Sequence, residues 1–252
     1  MTTTSTPLVV IIGGGTGMGR DIAHDQTRLG RDVLIVGRRV EALTKAQQAA
    51  PGPGQVMTVA ADAATPDGAQ MILDAVGNRS ITGLVAAAGG QGSFSRPASD
   101  PAEIMDAWTA ALQANLMTTV LPVEVLLPKM LDTTGRIVLI GSTAQLNGAG
   151  GAYGAAKAAV AGYGRELSIR AGKHGITVNT LAPGFVAGTE FFEAGGYGDS
   201  EPMIAGAAAQ TLVGRVGQPE DITASVRWLL SQDAGWVTGQ TITVDGGTVM
   251  LR

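Results

Sequence analysis

The stretch LVVIIGGGTGMGRDIAHDQTRLG, residues 8–30, decides the fold, because an apolar run, a glycine cluster and an amphipathic segment follow one another in it. Leu8 to Ile12 are consecutive apolar residues with many β-branched side chains, which favours a strand buried on both faces. The glycines allow a sharp turn, and the amphipathic segment after them favours a helix. The stretch predicts a strand–turn–helix unit at the start of an α/β fold.

The same alternation of short apolar runs and amphipathic segments continues along the chain. Strand–helix–strand units at this spacing predict right-handed crossovers and a doubly wound parallel sheet of about seven strands with helices on both faces. No linker divides the chain, so residues 1–252 are predicted to be one domain, with a substrate lid near 184–218. Strands are predicted at 8–12, 33–36, 56–60, 84–87, 137–140, 178–181 and 242–244, and helices near 17–29, 39–49, 66–78, 101–131, 151–172 and 219–231.

Composition excludes several function classes. With 17 basic and 21 acidic residues the net charge is −4, which argues against a nucleic-acid binder that neutralises phosphates. The absence of cysteine excludes disulfides, a thiol nucleophile and thiolate metal sites, and two histidines leave little scope for a metal cluster, so no metal is predicted. The apolar runs are strand-sized and the N-terminus lacks a basic targeting segment. A soluble, cytoplasmic protein without membrane partners is expected.

The glycine cluster has the spacing Gly13-x3-Gly17-x-Gly19. Glycines let the backbone approach a pyrophosphate closely, and the helix N-terminus that follows supplies free N–H groups and partial positive charge. A glycine-rich turn without a ligand would show the same residues. The position between the first strand and the first helix favours nucleotide binding.

The end of the second predicted strand bears on which nucleotide is bound. NAD-binding folds place a carboxylate there for the ribose 2′-OH, whereas this chain has Gly37, Arg38 and Arg39. A small residue followed by arginine leaves room for a 2′-phosphate, so NADP(H) is favoured over NAD(H); alternatively, the arginines only begin a solvated helix. Asp62, after the third strand, is placed to accept a hydrogen bond from the adenine amino group, and a turn-forming aspartate explains it almost as well.

Four polar residues further along form a candidate catalytic set. Tyr153 and Lys157 lie at i and i+4 on one face of a predicted helix, where a nearby positive charge favours the phenolate. A structural tyrosine beside a surface lysine would show the same spacing. Ser142 follows the fifth strand, at the carboxyl edge where ligands bind in such sheets. Asn115 stands in a predicted long helix, although asparagine is a poor helix former.

With these motifs in this order, the sequence resembles the short-chain dehydrogenase/reductase family over nearly its whole length. The family implies a Rossmann-type fold, a nicotinamide cofactor and hydride transfer between that cofactor and a ketone or secondary alcohol. Its glycine loop matches Gly13, Gly17 and Gly19, its catalytic residues match Asn115, Ser142, Tyr153 and Lys157, and its later motifs match Asn179 with Pro183-Gly184, Arg215 to Asp221, Thr238-Gly239 and Asp245-Gly246-Gly247.

The resemblance implies a role for each catalytic residue. Tyr153 would protonate the carbonyl oxygen in reduction or deprotonate the alcohol in oxidation, and Ser142 would hydrogen-bond that oxygen. Lys157 would bind the nicotinamide ribose and lower the pKa of Tyr153, and Asn115 would hold a water that links Lys157 to solvent. The predicted cofactor contacts are Gly13, Thr16, Gly17, Met18, Gly19, Gly37, Arg38, Arg39, Asp62, Ala88, Gly89, Asn115, Tyr153, Lys157, Pro183, Gly184, Val186 and Thr189.

The chain departs from the family pattern at four places. Ile12 replaces the usual threonine before the loop, and Ala86-Ala87 replaces the usual asparagine pair after strand four. The segment from Ser142 to Tyr153 is shorter than usual, which leaves open how the substrate cleft is shaped. One extra residue precedes Thr189, which leaves open whether its hydroxyl reaches the nicotinamide amide.

Three functions and an assembly are weighed from these residues. The leading hypothesis is an NADPH-dependent carbonyl reductase, reversible as a secondary-alcohol dehydrogenase; the alternatives are a 3-oxoacyl-thioester (acyl-carrier) reductase and a non-catalytic cofactor-binding regulator. Aromatic residues in the predicted lid favour an apolar or aromatic carbonyl substrate, or they only attach the lid to the body. The Ala-rich helix 151–172 and the resemblance suggest a homotetramer or homodimer. The aromatic residues are Phe185, Phe191, Phe192 and Tyr197.

Overall fold

A single seven-stranded parallel sheet forms the centre of the computed structural model, which describes residues 8–90, 100–189 and 200–250. The strand order is β3-β2-β1-β4-β5-β6-β7, so the predicted doubly wound parallel sheet is confirmed. The strands are β1 (Leu8–Ile12), β2 (Asp32–Gly37), β3 (Val56–Ala60), β4 (Ile81–Ala86), β5 (Arg136–Ile140), β6 (Thr177–Pro183) and β7 (Thr241–Val244).

Helices connect the strands in the predicted alternation. Most of them begin and end within three residues of the predicted bounds. The helices are α1 (Gly17–Arg28), α2 (Val40–Gln48), α3 (Pro66–Val76), α4 (Pro101–Leu112), α5 (Thr118–Leu126), α6 (Ala144–Asn147), α7 (Ala152–Gly172), α8 (Glu201–Ala208) and α9 (Pro219–Leu229).

Side chains of the central strand β1 enter two separate apolar cores, one on each face of the sheet. Leu8, Val10 and Ile12 face a core completed by α3, α5 and α7, whereas Val9 and Ile11 face a core completed by α1, α2 and α9. Successive side chains of a strand point to opposite faces, so a strand buried on both faces needs a continuous apolar run. This burial explains why β1 reads as five consecutive apolar residues and confirms helices on both faces.

The strand order reverses between β1 and β4, because β2 follows β1 on one side and β4 pairs with it on the other. In such sheets ligands bind outside the carboxyl ends of the strands at this switch point. The segments after β1, β4, β5 and β6 all leave the sheet at that edge. The fold therefore gathers residues 13–16, 87–90, 141–143 and 184–189 in one region.

The predicted helix 101–131 is interrupted. A π-helical turn, Gln113–Met117, joins α4 to α5, and a 3₁₀ turn, Leu127–Lys129, ends it. Contrary to the expectation from strand-sized apolar runs, the helical stretch Pro101–Lys129 is long and apolar enough to cross a membrane by length and composition, since an 18-residue window within it has a mean hydropathy of 1.4. A core helix passes the same test, and 39% of this window is buried, against α3, α7 and the sheet.

The predicted lid near 184–218 is more regular than the sequence suggests. Val186 forms a parallel bridge with Gly217, and α8 lies between them in sequence, with Ser200 at its N-cap and Pro202 in its first turn. Both residues are helix-start signals that the sequence carries. Phe191, Phe192 and Tyr197 lie outside the described residues.

Candidate active site

The glycine loop after β1 is folded tightly against the end of β4. Gly13 has a φ of +86°, and a Cβ there would lie 2.6 Å from the backbone nitrogen of Ala88. A Cβ on Gly19 would collide with the carbonyl oxygen of Gly13, and Gly17 has a φ of +51°. These three glycines are thus required by the turn itself. The loop brings the start of α1 beside the end of β4, as a pyrophosphate site requires.

The start of α1 suits an anion. Thr16 is the N-cap but makes no side-chain capping hydrogen bond, and the first turn contains no acidic residue. The Arg39 guanidinium donates a hydrogen bond to Thr16 Oγ1 across 3.4 Å, while Arg38 is exposed. The helix N-terminus and at least one guanidinium therefore lie at the same end of the sheet, next to the small residue Gly37.

Asp62 forms a turn after β3. Its carboxylate accepts a hydrogen bond from the backbone N–H of Ala64 at 3.0 Å, and its carbonyl oxygen accepts from the N–H and the hydroxyl of Thr65. This is the turn-forming role weighed from the sequence. Its side chain is exposed, and its contact with an adenine stays a prediction.

Tyr153 and Ser142 meet at the carboxyl edge of the sheet. Tyr153 lies in the first turn of α7 and is 6% exposed, and its hydroxyl shares a hydrogen bond with the side chain of Ser142. Burial raises the pKa of Tyr153, and the hydrogen bond with Ser142 opposes that rise. The pair forms a proton donor with a second hydroxyl directly beside it.

Lys157 lies one turn further along α7 and is 3% exposed. Its ammonium donates a hydrogen bond to the carbonyl oxygen of Ile140 at 2.9 Å and lies 5.9 Å from the centre of the Tyr153 ring. Burial lowers the pKa of Lys157 to about 8. Burial is the largest influence on the pKa of Tyr153, and the expected lowering of that pKa by Lys157 stays a prediction.

Asn115 is completely buried in the π-helical turn. Its amide donates to the carbonyl oxygens of Gly90, at 2.9 Å, and Ala111, and its Oδ1 accepts from the N–H of Gly90 at 3.1 Å. A π turn often marks a functional site, and here it accommodates a residue that an α-helix disfavours. Asn115 fastens the segment after β4 beside Lys157.

A cleft of about 200 Å³ opens in front of Ser142 and Tyr153. Met18 borders it from the start of α1, and Phe185 from the segment after β6. Thr189, which also lines it, donates a hydrogen bond to the carbonyl oxygen of Val186 at 3.3 Å. Its described lining consists of Met18, Gly141, Ser142, Thr143, Ala144, Asn147, Ala149, Tyr153, Pro183, Gly184, Phe185, Val186 and Thr189.

The structure brings the predicted catalytic residues to one place, although their roles stay predictions. Ser142 and Tyr153 line the cleft, while Lys157 and Asn115 lie behind it, next to Gly89. Among the predicted cofactor contacts, Met18, Pro183, Gly184, Val186 and Thr189 line the same cleft, whereas Asp62 and Arg38 lie on the exposed side of the sheet edge.

The missing asparagine pair does not leave β4 untied. The N–H of Ala87 donates to the carbonyl oxygen of Ile12 at 2.8 Å, and Gly13 lies against the backbone of Ala88. Backbone contacts with β1 and the amide of Asn115 thus hold the segment in place.

Sequence reasoning missed two neighbours of Ser142. The side chain of Gln145 accepts a hydrogen bond from the backbone N–H of Ser142, and Asn147 lines the cleft while accepting from the N–H of Ala149. A glutamine three residues after a candidate catalytic serine was the available signal. The contact between Gln145 and Ser142 depends on α6, a four-residue helix that was not predicted.

Comparisons with known proteins place this chain among reductases and dehydrogenases. The family model described as enoyl-(acyl carrier protein) reductase matches residues 13–249. The 2-(S)-hydroxypropyl-CoM dehydrogenase 3 of Xanthobacter autotrophicus is 35% identical, covering 97% of this chain and 97% of that protein. The short-chain reductase protein NovJ of Streptomyces niveus is 44% identical over 117 residues, 45% of this chain and 44% of that protein.

A solved structure agrees with this placement. L-sorbose reductase from Gluconobacter frateurii, complexed with NADPH and L-sorbose, superposes with a TM-score of 0.87 at 25% identity, covering 98% of each chain. The fold is thus one that binds a nicotinamide cofactor. From its fold, its motifs and these relatives, the chain belongs to the short-chain dehydrogenase/reductase family of oxidoreductases.

Proposed function

We propose that this protein is an NADPH-dependent carbonyl reductase that also runs in reverse as a secondary-alcohol dehydrogenase. The observation that carries the proposal is the hydrogen-bonded pair Ser142–Tyr153 at the cleft, with the buried ammonium of Lys157 behind it. A proton donor beside a second hydroxyl, at the switch point of the sheet, can protonate a carbonyl oxygen and stabilise the negative charge that develops on it.

Tyr153 is the acid in the reducing direction. Since burial raises its pKa, the phenol keeps its proton at neutral pH and delivers it to the carbonyl oxygen. The Ser142 hydroxyl donates a hydrogen bond to the same oxygen and shares the developing charge. In the oxidising direction Tyr153 must first lose its proton, so oxidation requires a higher pH than reduction.

The residues present fit a nicotinamide dinucleotide. Gly13, Gly17 and Gly19 form the tight turn before α1, so the N-terminus of this helix would hold a pyrophosphate, and the ammonium of Lys157 beside Gly89 would bind the ribose hydroxyls. The cofactor supplies the hydride, and the protein supplies alignment and the proton.

The preference for NADPH rests on charge. Two arginines, Arg38 and Arg39, follow β2 directly, where NAD-binding folds carry a carboxylate for the ribose 2′-OH, and the carboxylate of Glu41 comes only in the first turn of α2. Arg39 already lies beside Thr16 at the glycine loop.

The cleft favours an uncharged carbonyl substrate with an apolar or aromatic group. Its described lining carries no Asp, Glu, Lys or Arg, while Met18, Phe185 and Val186 supply apolar surface. The acyl-carrier alternative is supported by the description of the matching family model. Parallel assays on free ketones and on a 3-oxoacyl thioester separate the two substrate classes.

The remaining features of the proposal concern assembly, location and the lid. α4 exposes Ile104, Met105 and Trp108, and α7 exposes Ile169, so these helices are suited to an interface in a homodimer or homotetramer. Residues 1–252 form one cytoplasmic domain, in which the segment near 184–218 covers the substrate.

Tyr153→Phe tests the proposal, with Tyr163→Phe as the matched control. Tyr163 lies on the same helix but hydrogen-bonds to Glu124, outside the cleft. We expect Tyr153→Phe to lower kcat by about 100-fold or more while NADPH still binds, and Tyr163→Phe to keep the wild-type kcat. Full turnover by Tyr153→Phe would disprove the assigned acid. Cofactor binding by the wild type without turnover on any carbonyl would instead support a non-catalytic regulator.

A further inference from the structure

Successive backbone N–H groups around Ser142 bond alternately to β6 and to the side chain of Gln145. The N–H groups of Gly141 and Thr143 donate to the carbonyl oxygens of Leu181 and Pro183 on β6, at 2.7 and 3.0 Å. The N–H of Ser142, between them, points away from β6 because successive residues of an extended chain face opposite sides. Its partner is the side-chain oxygen of Gln145, at 3.2 Å.

The first turn of α6 holds Ser142 at three atoms. Besides accepting from the Ser142 N–H through Oε1, Gln145 donates its own backbone N–H to the Ser142 carbonyl oxygen at 3.1 Å. The N–H of Ala144 donates to Ser142 Oγ at 3.2 Å. The last two bonds are donated by backbone N–H groups and do not depend on the side chains at positions 144 and 145, whereas the bond to Oε1 depends on the glutamine.

The amide of Gln145 has only one possible orientation. Oε1 must face the Ser142 N–H, because that group can only donate. A Cβ at position 141 would collide with Oε1 and lie 3.2 Å from the amide carbon, so the amide occupies the space that a side chain at Gly141 would need. The amide is thereby confined directly under the backbone of the residue before Ser142.

The amide nitrogen of Gln145 indicates that the contact between this side chain and Ser142 does not serve stability. Nε2 of Gln145 is buried and has no hydrogen-bond partner within residues 8–90, 100–189 and 200–250. A buried donor without a partner costs stability, and a hydrocarbon side chain of the same length would avoid that cost. The functional contact of this side chain is therefore the one that Oε1 makes with the Ser142 N–H.

We propose that Gln145 is a positioning residue, which holds the Ser142 backbone so that the Ser142 hydroxyl faces Tyr153 and the substrate oxygen. The inference rests on the proposed function and assigns Gln145 no contact with the substrate. When Oε1 is removed, the Ser142 N–H loses its partner, the extended segment rotates more freely, and the Ser142–Tyr153 hydrogen bond weakens.

The test compares Gln145→Met, Gln145→Glu and a control, Gln70→Met, which makes the same change on the exposed face of α3. Methionine keeps the length and removes both amide atoms. Glutamate keeps an acceptor for the Ser142 N–H. We expect Gln145→Met to lower kcat by about 3- to 10-fold with NADPH binding and the melting temperature unchanged, because the variant removes the unpartnered Nε2 but leaves the Ser142 N–H without its partner. Gln145→Glu retains most of the kcat, and Gln70→Met matches the wild type.

The pH profile supplies a readout that a purely structural role would not move. Because the hydrogen bond with Ser142 lowers the pKa of Tyr153, weakening it in Gln145→Met shifts the apparent pKa of the kcat profile upward. Wild-type kcat and pH profile in Gln145→Met, with Ser142→Ala inactive, would overturn this inference alone. If Ser142→Ala is also fully active, the proposed function fails instead. Parallel losses of turnover, NADPH binding and melting temperature in Gln145→Met would show a structural role and also overturn the inference.

Discussion

The ammonium of Lys157 lies against the backbone of Gly89: a Cβ at position 89 would be 3.0 Å from Nζ. The same Cβ would be 2.9 Å from Oδ1 of Asn115. Two buried polar groups from different helices thus converge on one glycine after β4, and a side chain there would separate them. Glycine at this position is required by its neighbours, since its own φ is not in the left-handed region.

Gly89→Ala is expected to reduce both turnover and NADPH binding. The added methyl group displaces Lys157 Nζ or Asn115 Oδ1, both of which are buried with little room to move. Gly90→Ala is the matched control, because a Cβ at position 90 meets no atom of the described residues within 4 Å. Steady-state kinetics and cofactor titration on both variants check the prediction, and equal behaviour of the two would contradict it.

Arg39→Ala is expected to raise the KM for NADPH by about 10-fold and to leave the KM for NADH nearly unchanged. The Arg39 guanidinium, which lies beside Thr16, is proposed to contact a 2′-phosphate, which NADH lacks. Arg28→Ala, an exposed arginine at the far end of α1, is the control and keeps both constants. An equal rise in the KM for NADPH and in the KM for NADH would contradict the assignment of Arg39 to the 2′-phosphate.

Lys157→Met is expected to make the cofactor-free protein more stable at pH 7, by about 1–3 kcal/mol. Burial lowers the pKa of Lys157 from 10.5 to about 8, which means that the charged ammonium costs free energy in the folded state relative to the unfolded chain. Between these two values the unfolded chain binds more protons, and the wild-type free energy of unfolding rises with pH. The variant lacks this rise in the free energy of unfolding. Urea unfolding of both proteins at pH 7 and pH 9.5 measures the difference.

Asp25→Ala is expected to lower the free energy of unfolding by about 2 kcal/mol. The Asp25 carboxylate is buried and accepts hydrogen bonds from Arg227 on α9 and from Gln26, so its loss leaves the buried Gln26 amide without this partner and breaks the ion pair with the half-exposed Arg227. Asp74→Ala, which removes an exposed carboxylate that bonds only Gln70 among the described contacts, should cost less than about 0.5 kcal/mol. Urea denaturation of both variants compares the two losses.

Sequence patterns predicted the parallel sheet well because burial on both faces leaves an unbroken apolar run, as in β1. Gly13, Ser142 and Tyr153 could also be placed, since each follows a strand end or lies at the start of a helix. The π turn around Asn115 was out of reach, because only the contact with Gly90 explains why that residue is tolerated in a helix. The role of Gln145 depends on α6, whose four residues are too few for a periodic pattern.

The sheet consists of two sets of neighbouring strands, each of which comes from one continuous part of the chain. β3, β2, β1 and β4 come from residues 8–90, and β5, β6 and β7 come from residues 136–244, so the two sets meet along the single pairing of β4 with β5. The glycine loop belongs to the first set, and Ser142, Tyr153 and Lys157 follow the first strand of the second. A chain cut between residues 90 and 100 would therefore separate the glycine loop from the proton donor, and the two fragments would regain activity only on reassociation. The enzyme is in this sense a natural candidate for a split reporter.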